Sequence, residues 1–197
     1  LPVRALARPL KRGVRKRINI MKQKMSNFGF KMMVNAGMPI RNLFMPPAKM
    51  LAEIEINPGY KVLDYGCGPG AFTIMIAKIV GQSGIVYALD IHPLAIKAVE
   101  ENARKKNLSN YKTILSSCST FLPDNSLDLV IFFDVFHTLN NQEEVLIELH
   151  RVLKADGTMC FSDHHMKETE IIKQLTERGL FKLQRKGRRT FTFGKLK

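Results

Sequence analysis

The chain contains 197 residues, enough for one domain with a sizeable hydrophobic core, and 45% of them are apolar, as in a globular protein rather than a disordered one. No apolar run approaches the ~18 residues that a membrane-spanning helix needs, which argues against an integral membrane protein. The formal net charge is +14, which favours an anionic partner.

The two ends of the chain carry this positive charge. Residues 1–52 hold 12 Lys and Arg residues and no acidic residue, and residues 182–197 hold 7, again with no acidic residue. The stretch between them has 12 basic and 17 acidic residues, a net charge of −5. Such ends indicate a nucleic acid or an anionic membrane surface as partner, although solvated tails would have the same composition.

The cysteines bear on the cellular compartment. Cys67, Cys118 and Cys160 form no C-x-x-C pair. A reducing compartment is therefore expected, and we predict a cytoplasmic protein, with peripheral contact to the membrane as a variant of that prediction. No metal site is predicted.

In chain order, residues 1–47 are predicted to form a basic, partly flexible extension ahead of a domain over residues 48–197. Residues 1–17 are expected to be mobile. Residues 18–33 carry apolar side chains at steps of three or four, with lysines between them, which predicts an amphipathic helix. A second helix is predicted from Pro46-Pro47 to about Ile56.

Strands and helices then alternate. Strands are predicted at 61–65, 85–90, about 111–115, 127–133 and 158–162, with a closing hairpin at 181–185 and 190–193. Helices are predicted at 71–80, from Pro93 to about Asn107, at 141–153 and at about 167–178. This alternation predicts an α/β fold with a doubly wound, mostly parallel sheet and helices on both faces.

The most informative stretch is the glycine-rich turn in Val62-Leu63-Asp64-Tyr65-Gly66-Cys67-Gly68-Pro69-Gly70. A strand, a tight glycine turn and a helix N-terminus let bare backbone N–H groups approach an electron-rich ligand. The run Gly66-x-Gly68-x-x-Ala71 also fits the dinucleotide fingerprint, with Asp90 about 20 residues further on. However, Asp64 would be badly placed beside a pyrophosphate and well placed for an amino group.

This stretch resembles the first motif of the class I S-adenosylmethionine-dependent methyltransferases, hydrophobic-hydrophobic-Asp-x-Gly-x-Gly-x-Gly. Residues 85–90, 127–134 and 149–157 resemble the further motifs of that family, in order. The resemblance covers roughly residues 48–197 and is strongest to the small-molecule branch that includes the quinone-biosynthesis methyltransferases. It implies a Rossmann-like seven-stranded sheet with an antiparallel last strand, and S-adenosylmethionine as the cofactor.

The resemblance also implies a cofactor site, because ligands of such sheets bind beyond the carboxyl ends of the strands. Asp64 would face the methionine ammonium group, Asp90 would accept both ribose hydroxyls and Ile91 would lie against adenine; helix capping is the alternative for either aspartate. The Asp that the family usually carries after strand three is replaced by serine here, so Ser117, helped by the Cys118 N–H, is predicted to hold adenine more weakly. The predicted cofactor-binding set is Asp64, Tyr65, Gly66, Cys67, Gly68, Asp90, Ile91, Ser117, Cys118 and Asp134.

Methyl transfer from a sulfonium needs alignment more than acid–base chemistry, so a base is required only if the acceptor carries a proton at neutral pH. His137, just after strand four, is the candidate base, and His164 and His165 lie after strand five on the same acceptor side. A structural, hydrogen-bonded role is the alternative for His137.

The leading hypothesis is therefore an S-adenosylmethionine-dependent methyltransferase of a small acceptor, which could be lipophilic. In that hypothesis the methionines and phenylalanines of residues 18–52 cover the acceptor side as a lid, and packing on the sheet edge is the alternative. Strand four ends in Asp134-Val135-Phe136-His137, which differs from the Asn/Asp-Pro-Pro-Tyr/Phe signature associated with methylation of exocyclic amines. The alternatives are a nucleic-acid-associated methyltransferase, a cofactor-binding non-enzyme that acts through its basic ends, and an NAD-dependent oxidoreductase.

Overall fold

The computed structural model describes residues 26–37 and 46–196, which contain one seven-stranded sheet. The strands are β1 Lys61–Tyr65, β2 Ile85–Asp90, β3 Tyr111–Leu115, β4 Leu127–Phe133, β5 Leu153–Ser162, β6 Phe181–Lys186 and β7 Phe191–Lys195. Their order is β3-β2-β1-β4-β5-β7-β6, and β7 runs antiparallel to both of its neighbours while the other pairs are parallel. The predicted doubly wound sheet with an antiparallel last strand is confirmed.

Helices cover both faces of this sheet. The helices are α1 Asn27–Met32, continued by a π-helical turn at Met33–Gly37, then α2 Pro47–Leu51, α3 Ala71–Val80, α4 Pro93–Lys105, α5 Gln142–Val152 and α6 Glu168–Thr176. A short 3₁₀ turn at Phe136–Thr138 follows β4. Of the predicted helix over 18–33, residues 18–25 lie outside the described residues, as do residues 1–17, which were expected to be mobile. No helix among the described residues is long and apolar enough to cross a membrane.

The core lies on both sides of the central strand β4, as its uninterrupted apolar run predicts. On one face Phe132 and Phe161 are fully buried beneath α5 and α6. On the other face Ile131 packs with Ile76 of α3 and Met50 of α2, all three without exposed surface. Because both faces are covered, the ligand-accessible part of the sheet is its edge at the ends of the strands.

The helix predicted from Pro46-Pro47 to about Ile56 is wrong in length, since α2 ends at Leu51. The reason is a long-range contact made by Glu53, two residues after the end of the helix. Its carboxylate accepts hydrogen bonds from the N–H of Arg189 (2.9 Å) and from the N–H and hydroxyl of Thr190 (3.1 and 2.9 Å). These bonds tie the end of α2 to the turn between β6 and β7, more than 130 residues along the chain.

Strand β5 is also longer than predicted, because it begins at Leu153 rather than at residue 158. Leu153 is fully buried and pairs with Leu127, so the strand starts as soon as α5 ends. The register shifts between Leu127 and Leu129, which accommodates the exposed Ala155 and Asp156 that read as a turn in the sequence.

Candidate active site

The glycine turn between β1 and α3 brings main chain to the carboxyl edge of the sheet. Gly66, Gly68 and Gly70 have φ values of 75°, 52° and 86°, in the left-handed region that favours glycine. A Cβ atom on Gly66 would lie 2.3 Å from the Cγ2 atom of Val135, so a larger residue cannot fit there. The turn is held on β2, because the N–H groups of Gly66 and Cys67 both donate to the Leu89 carbonyl, at 2.8 and 3.0 Å.

A cavity of about 460 Å³ opens beside this turn, which is the size of a small-molecule site. It lies beyond the ends of β1, β2, β4 and β5, on both sides of the point where the strand order reverses. All the predicted site residues except Cys118 line it, namely Asp64, Tyr65, Gly66, Cys67, Gly68, Asp90, Ile91, Ser117, Asp134 and His137. The fold thus brings together residues that are up to 73 positions apart in the chain.

Asp64 is a carboxylate buried in the wall of the cavity, with 3% of its surface exposed. The hydroxyl of Thr73, on the first turn of α3, donates a 2.5 Å hydrogen bond to it. Burial raises the pKa of Asp64 to about 6, although the Thr73 hydrogen bond partly opposes the rise. A cationic ligand group in this cavity would favour the ionised form.

Asp90 ends β2 and organises the backbone around it. One carboxylate oxygen accepts the N–H of Gly68 at 3.0 Å, and the other accepts the N–H of His92 at 2.8 Å. Burial raises the pKa of Asp90 as well, while these two hydrogen bonds lower it. The alternative role as the cap of α4 belongs instead to His92, whose Nδ1 accepts the N–H of Leu94 at 3.2 Å.

The segment after β3 forms the third side of the cavity. Ser116 and Ser117 line it, and the Ser117 carbonyl accepts a 2.9 Å hydrogen bond from the Tyr65 hydroxyl. The Cys118 N–H, which was predicted to assist Ser117, donates to the Ser116 hydroxyl at 3.2 Å. Cys118 itself is not among the residues that line the cavity, so a role for it in binding has no support from the geometry.

Histidine side chains cluster on the side of the cavity that was predicted to receive the acceptor. His137 Nδ1 lies 2.8 Å from a carboxylate oxygen of Asp163, and His164 Nδ1 lies 2.8 Å from one of Asp134. The ring of His165 packs against both His137 and His164, with centroid distances of 4.2 and 3.9 Å. No group of His, Cys, Asp and Glu residues in the described parts of the chain has the arrangement of a metal site.

Three residues that contribute to this site, Asp163, Thr73 and His92, were not predicted from the sequence. Asp163 follows β5 at the same sheet edge as His137, and this position at a strand end could have identified it from the sequence. Thr73 and His92 gave no signal, because each acts through a contact made only in three dimensions.

The N-terminal helix α1 covers part of the cavity. Phe30 is 6% exposed, and its ring stacks on that of His92 with a centroid distance of 4.4 Å and an interplanar angle of 13°. Phe30 and Gly37 both line the cavity. The segment that was predicted to be a lid therefore contributes part of the wall.

Known proteins resemble this chain in sequence. The sequence profile of a family described as "Methyltransferase domain" matches residues 56–192. A demethylmenaquinone methyltransferase of Geobacillus stearothermophilus is 34% identical over 113 residues, which cover 56% of this chain and 48% of that protein. An (S)-coclaurine N-methyltransferase of Thalictrum flavum subsp. glaucum is 30% identical over 115 residues, covering 58% of this chain and 31% of that protein. The matched stretch thus spans about half the length of the first relative, and less of the second.

The fold has solved counterparts. The crystal structure of a SAM dependent methyltransferase from Aquifex aeolicus superposes with a TM-score of 0.74 at 24% identity, covering 88% of this chain and 100% of the other. At this identity the likeness concerns the fold alone.

Proposed function

This chain belongs to the methyltransferase-domain family, and we propose that it transfers a methyl group from S-adenosylmethionine to a small, lipophilic acceptor. The observation that carries this proposal is the pair of carboxylates at a glycine turn that opens into a cavity: Asp64, which is buried, and Asp90, which is half-buried. In the proposal, residues 48–197 form the catalytic domain and residues 1–47 an extension that covers it.

The residues present fit this cofactor. Asp64 would bind the methionine ammonium group, since a cation compensates the cost of a buried carboxylate. Asp90 would accept the ribose hydroxyls while it holds the turn through Gly68, and Ile91 and Ser117 would border the adenine. When bound, S-adenosylmethionine supplies a methyl group on a positively charged sulfur, open to in-line displacement.

On the acceptor side, His137 is the proposed base. Its ring lines the same cavity as Asp64 and Gly66, so a proton-bearing acceptor between them would reach the imidazole. The relatives fit a small acceptor, because the names of two of them give demethylmenaquinone and coclaurine as substrates.

An NAD-dependent oxidoreductase is the competing function for the same turn, and calorimetric titration separates the two. We expect S-adenosylmethionine to bind at least 10-fold more tightly than NAD, because the negatively charged pyrophosphate of NAD would be repelled by the carboxylates of Asp64, which is buried, and Asp90, which is half-buried. S-adenosylhomocysteine, which lacks the sulfonium charge, is the matched ligand control. Tight NAD binding with absent S-adenosylmethionine binding would reject the proposal.

We also propose an anionic membrane surface as the partner of the N-terminal extension. On α1, Phe28 and Met32 are one helical turn apart and 77% and 53% exposed, and Lys31 is exposed beside them. The preceding residues 1–25 hold nine Lys and Arg residues and no acidic residue. Exposed apolar side chains with flanking basic residues are the combination that binds the interface of an anionic bilayer, where lipophilic acceptors reside.

A vesicle-binding experiment tests this partner. Replacing both Phe28 and Met32 with serine should weaken binding to phosphatidylserine vesicles at least 10-fold, because two large apolar side chains no longer enter the bilayer. Raising the salt concentration should release the wild-type protein. Phe121→Ser is the matched control, since Phe121 is 80% exposed in the loop after β3 and should not matter.

Equal vesicle binding by the double variant and the wild type would contradict the membrane proposal. Binding to RNA or DNA that exceeds binding to vesicles at the same salt concentration would assign the basic ends to nucleic acid instead.

A further inference from the structure

We infer that Asp163 is a positioning residue that fixes His137 in the tautomer able to take a proton from the methyl acceptor. The inference rests on the proposed function. It names a residue that neither the motifs nor the family resemblance singled out, and it narrows the class of acceptor.

The contacts of Asp163 carry the inference. Its side chain has no exposed surface, although it follows directly on the end of β5. One carboxylate oxygen accepts a hydrogen bond from the backbone N–H of His137 at 3.1 Å. The same oxygen lies 2.8 Å from the Nδ1 atom of His137. The other oxygen accepts the backbone N–H of His165 at 3.1 Å. The carboxylate therefore holds the main chain and the ring of His137 together.

This arrangement determines which ring nitrogen carries the proton. An ionised carboxylate only accepts hydrogen bonds, so Nδ1 of His137 must be the donor. In the neutral imidazole Nε2 then has a free lone pair, which is what a general base needs. The His137 side chain is 28% exposed and lines the cavity, so this nitrogen belongs to a ring that a ligand can reach.

The ring is also held from the side. His165, whose own N–H is bound to Asp163, packs its imidazole against that of His137 at a centroid distance of 4.2 Å. The main chain and one ring nitrogen of His137 are therefore held in place, and a neighbouring ring packs against the imidazole. Such a side chain loses little conformational entropy when a ligand binds.

The second Asp–His pair of the cavity, Asp134 with His164, has the same form but is more open. Its aspartate is 13% and its histidine 40% exposed, compared with 0% and 28% for Asp163 and His137. A buried carboxylate constrains its partner more strongly, because water does not compete for the hydrogen bond. We therefore assign the proton transfer to the buried pair.

The proton transfer fits an acceptor with a weakly acidic X–H group, such as a phenolic hydroxyl. The X–H bond breaks and its proton passes to Nε2 of His137, while the electron pair left on X forms the new bond to the methyl carbon. The former bond of that carbon to sulfur leaves its electron pair on sulfur, and His137 later releases the proton to solvent. A neutral amine would not require this base.

The tautomer can be measured without turnover, by ¹⁵N NMR of the five histidines in the full chain near neutral pH. The structure assigns the proton to Nδ1 in His137, and to Nε2 in His150, whose Nε2 lies 2.9 Å from the Leu196 carbonyl. His150 is thus the internal reference of opposite tautomer. In Asp163→Asn the His137 proton should move to Nε2, while His150 stays unchanged.

Activity gives the second readout, with 1,4-naphthohydroquinone as the probe acceptor and S-adenosylmethionine as the donor. We expect His137→Gln to lower kcat at least 100-fold and Asp163→Asn at least 10-fold, with S-adenosylmethionine affinity changed less than 2-fold in both. Because Asp163 acts through His137, the double variant should be no slower than His137→Gln alone.

Two outcomes would overturn the inference: an unprotonated Nδ1 on His137 in the wild-type protein, or a double variant whose loss equals the product of the single losses. The first outcome is measured on the wild-type protein, so it tests the inference even if the Asp163→Asn variant does not fold. Failure of the wild type both to bind S-adenosylmethionine and to methylate the probe would instead reject the proposed function, and the tautomer would still report on Asp163.

Discussion

Replacing Asp64 with asparagine should raise the free energy of unfolding at pH 7.5 by about 1–3 kcal/mol and, at the same time, weaken S-adenosylmethionine binding at least 10-fold. Burial raises the pKa of this carboxyl from 3.8 to about 6, so keeping it ionised at neutral pH costs the folded state about 3 kcal/mol at most. Asparagine has the same shape and keeps an oxygen to accept the Thr73 hydroxyl, but carries no charge to desolvate.

The pH dependence follows from the direction of this shift. Because the folded-state pKa is the higher one, the stabilisation that protonated Asp64 contributes is complete below pH 3.8 and is lost as the pH rises through about 6. The advantage of the asparagine variant should therefore shrink as the pH falls below about 6. Cofactor affinity should change in the opposite sense, with binding by the wild type weakening below about pH 6 as Asp64 loses the charge that attracts the ammonium group.

Denaturant unfolding and calorimetry at pH 5 and pH 7.5 would measure both effects. Asp156→Asn is the matched control, since Asp156 is exposed and the same substitution there should change stability by less than about 0.5 kcal/mol. An asparagine variant that is less stable than the wild type at pH 7.5 would contradict the prediction. It would show that hydrogen bonds from neighbouring donors offset the cost of burying the Asp64 charge. Unchanged affinity would remove Asp64 from the cofactor site.

Replacing Asp90 with alanine should weaken S-adenosylmethionine binding by about 1.5–3 kcal/mol, which is roughly 10- to 150-fold, the range for hydrogen bonds to a charged group. Part of this loss would be indirect, because Asp90 also accepts the N–H groups of Gly68 and His92 and so orders the glycine turn. The variant should remain folded, since β2 keeps its pairing with β1 and β3.

A ligand without ribose hydroxyls separates the direct contribution from the indirect one. If Asp90 binds the hydroxyls, a 2′,3′-dideoxy analogue of S-adenosylhomocysteine should bind the wild type at least 10-fold less tightly than S-adenosylhomocysteine, and the alanine variant should not distinguish the two ligands. Discrimination by the variant as strong as that of the wild type would leave Asp90 with the turn-ordering role alone.

Features of the fold that depend on neighbours in the sequence were predictable. The strand–turn–helix from Lys61 to Val80 has its bounds as predicted, because an apolar run, glycines at positions of positive φ and helical spacing all act locally. The predicted cofactor residues other than Cys118 meet in one cavity because parallel strands present their carboxyl ends at one edge, a rule that needs only the order of elements.

Contacts between distant segments were not predictable. The length of α2 depends on Glu53 reaching the β6–β7 turn, and the cover over the cavity depends on Phe30 stacking on His92, 62 positions away. The hydrogen-bond partner of His137 is Asp163, which follows a different strand.

The sequence by itself determined the α/β class, the glycine turn and the row of acidic residues at the strand ends, since these follow from local propensity and from strand polarity. Only the tertiary structure decided how deeply Asp64 is buried, which carboxylate lies beside Nδ1 of His137 and which face of α1 is left exposed. The physical reason is that burial and hydrogen-bond partners arise from packing of segments far apart in the chain, which no local pattern encodes.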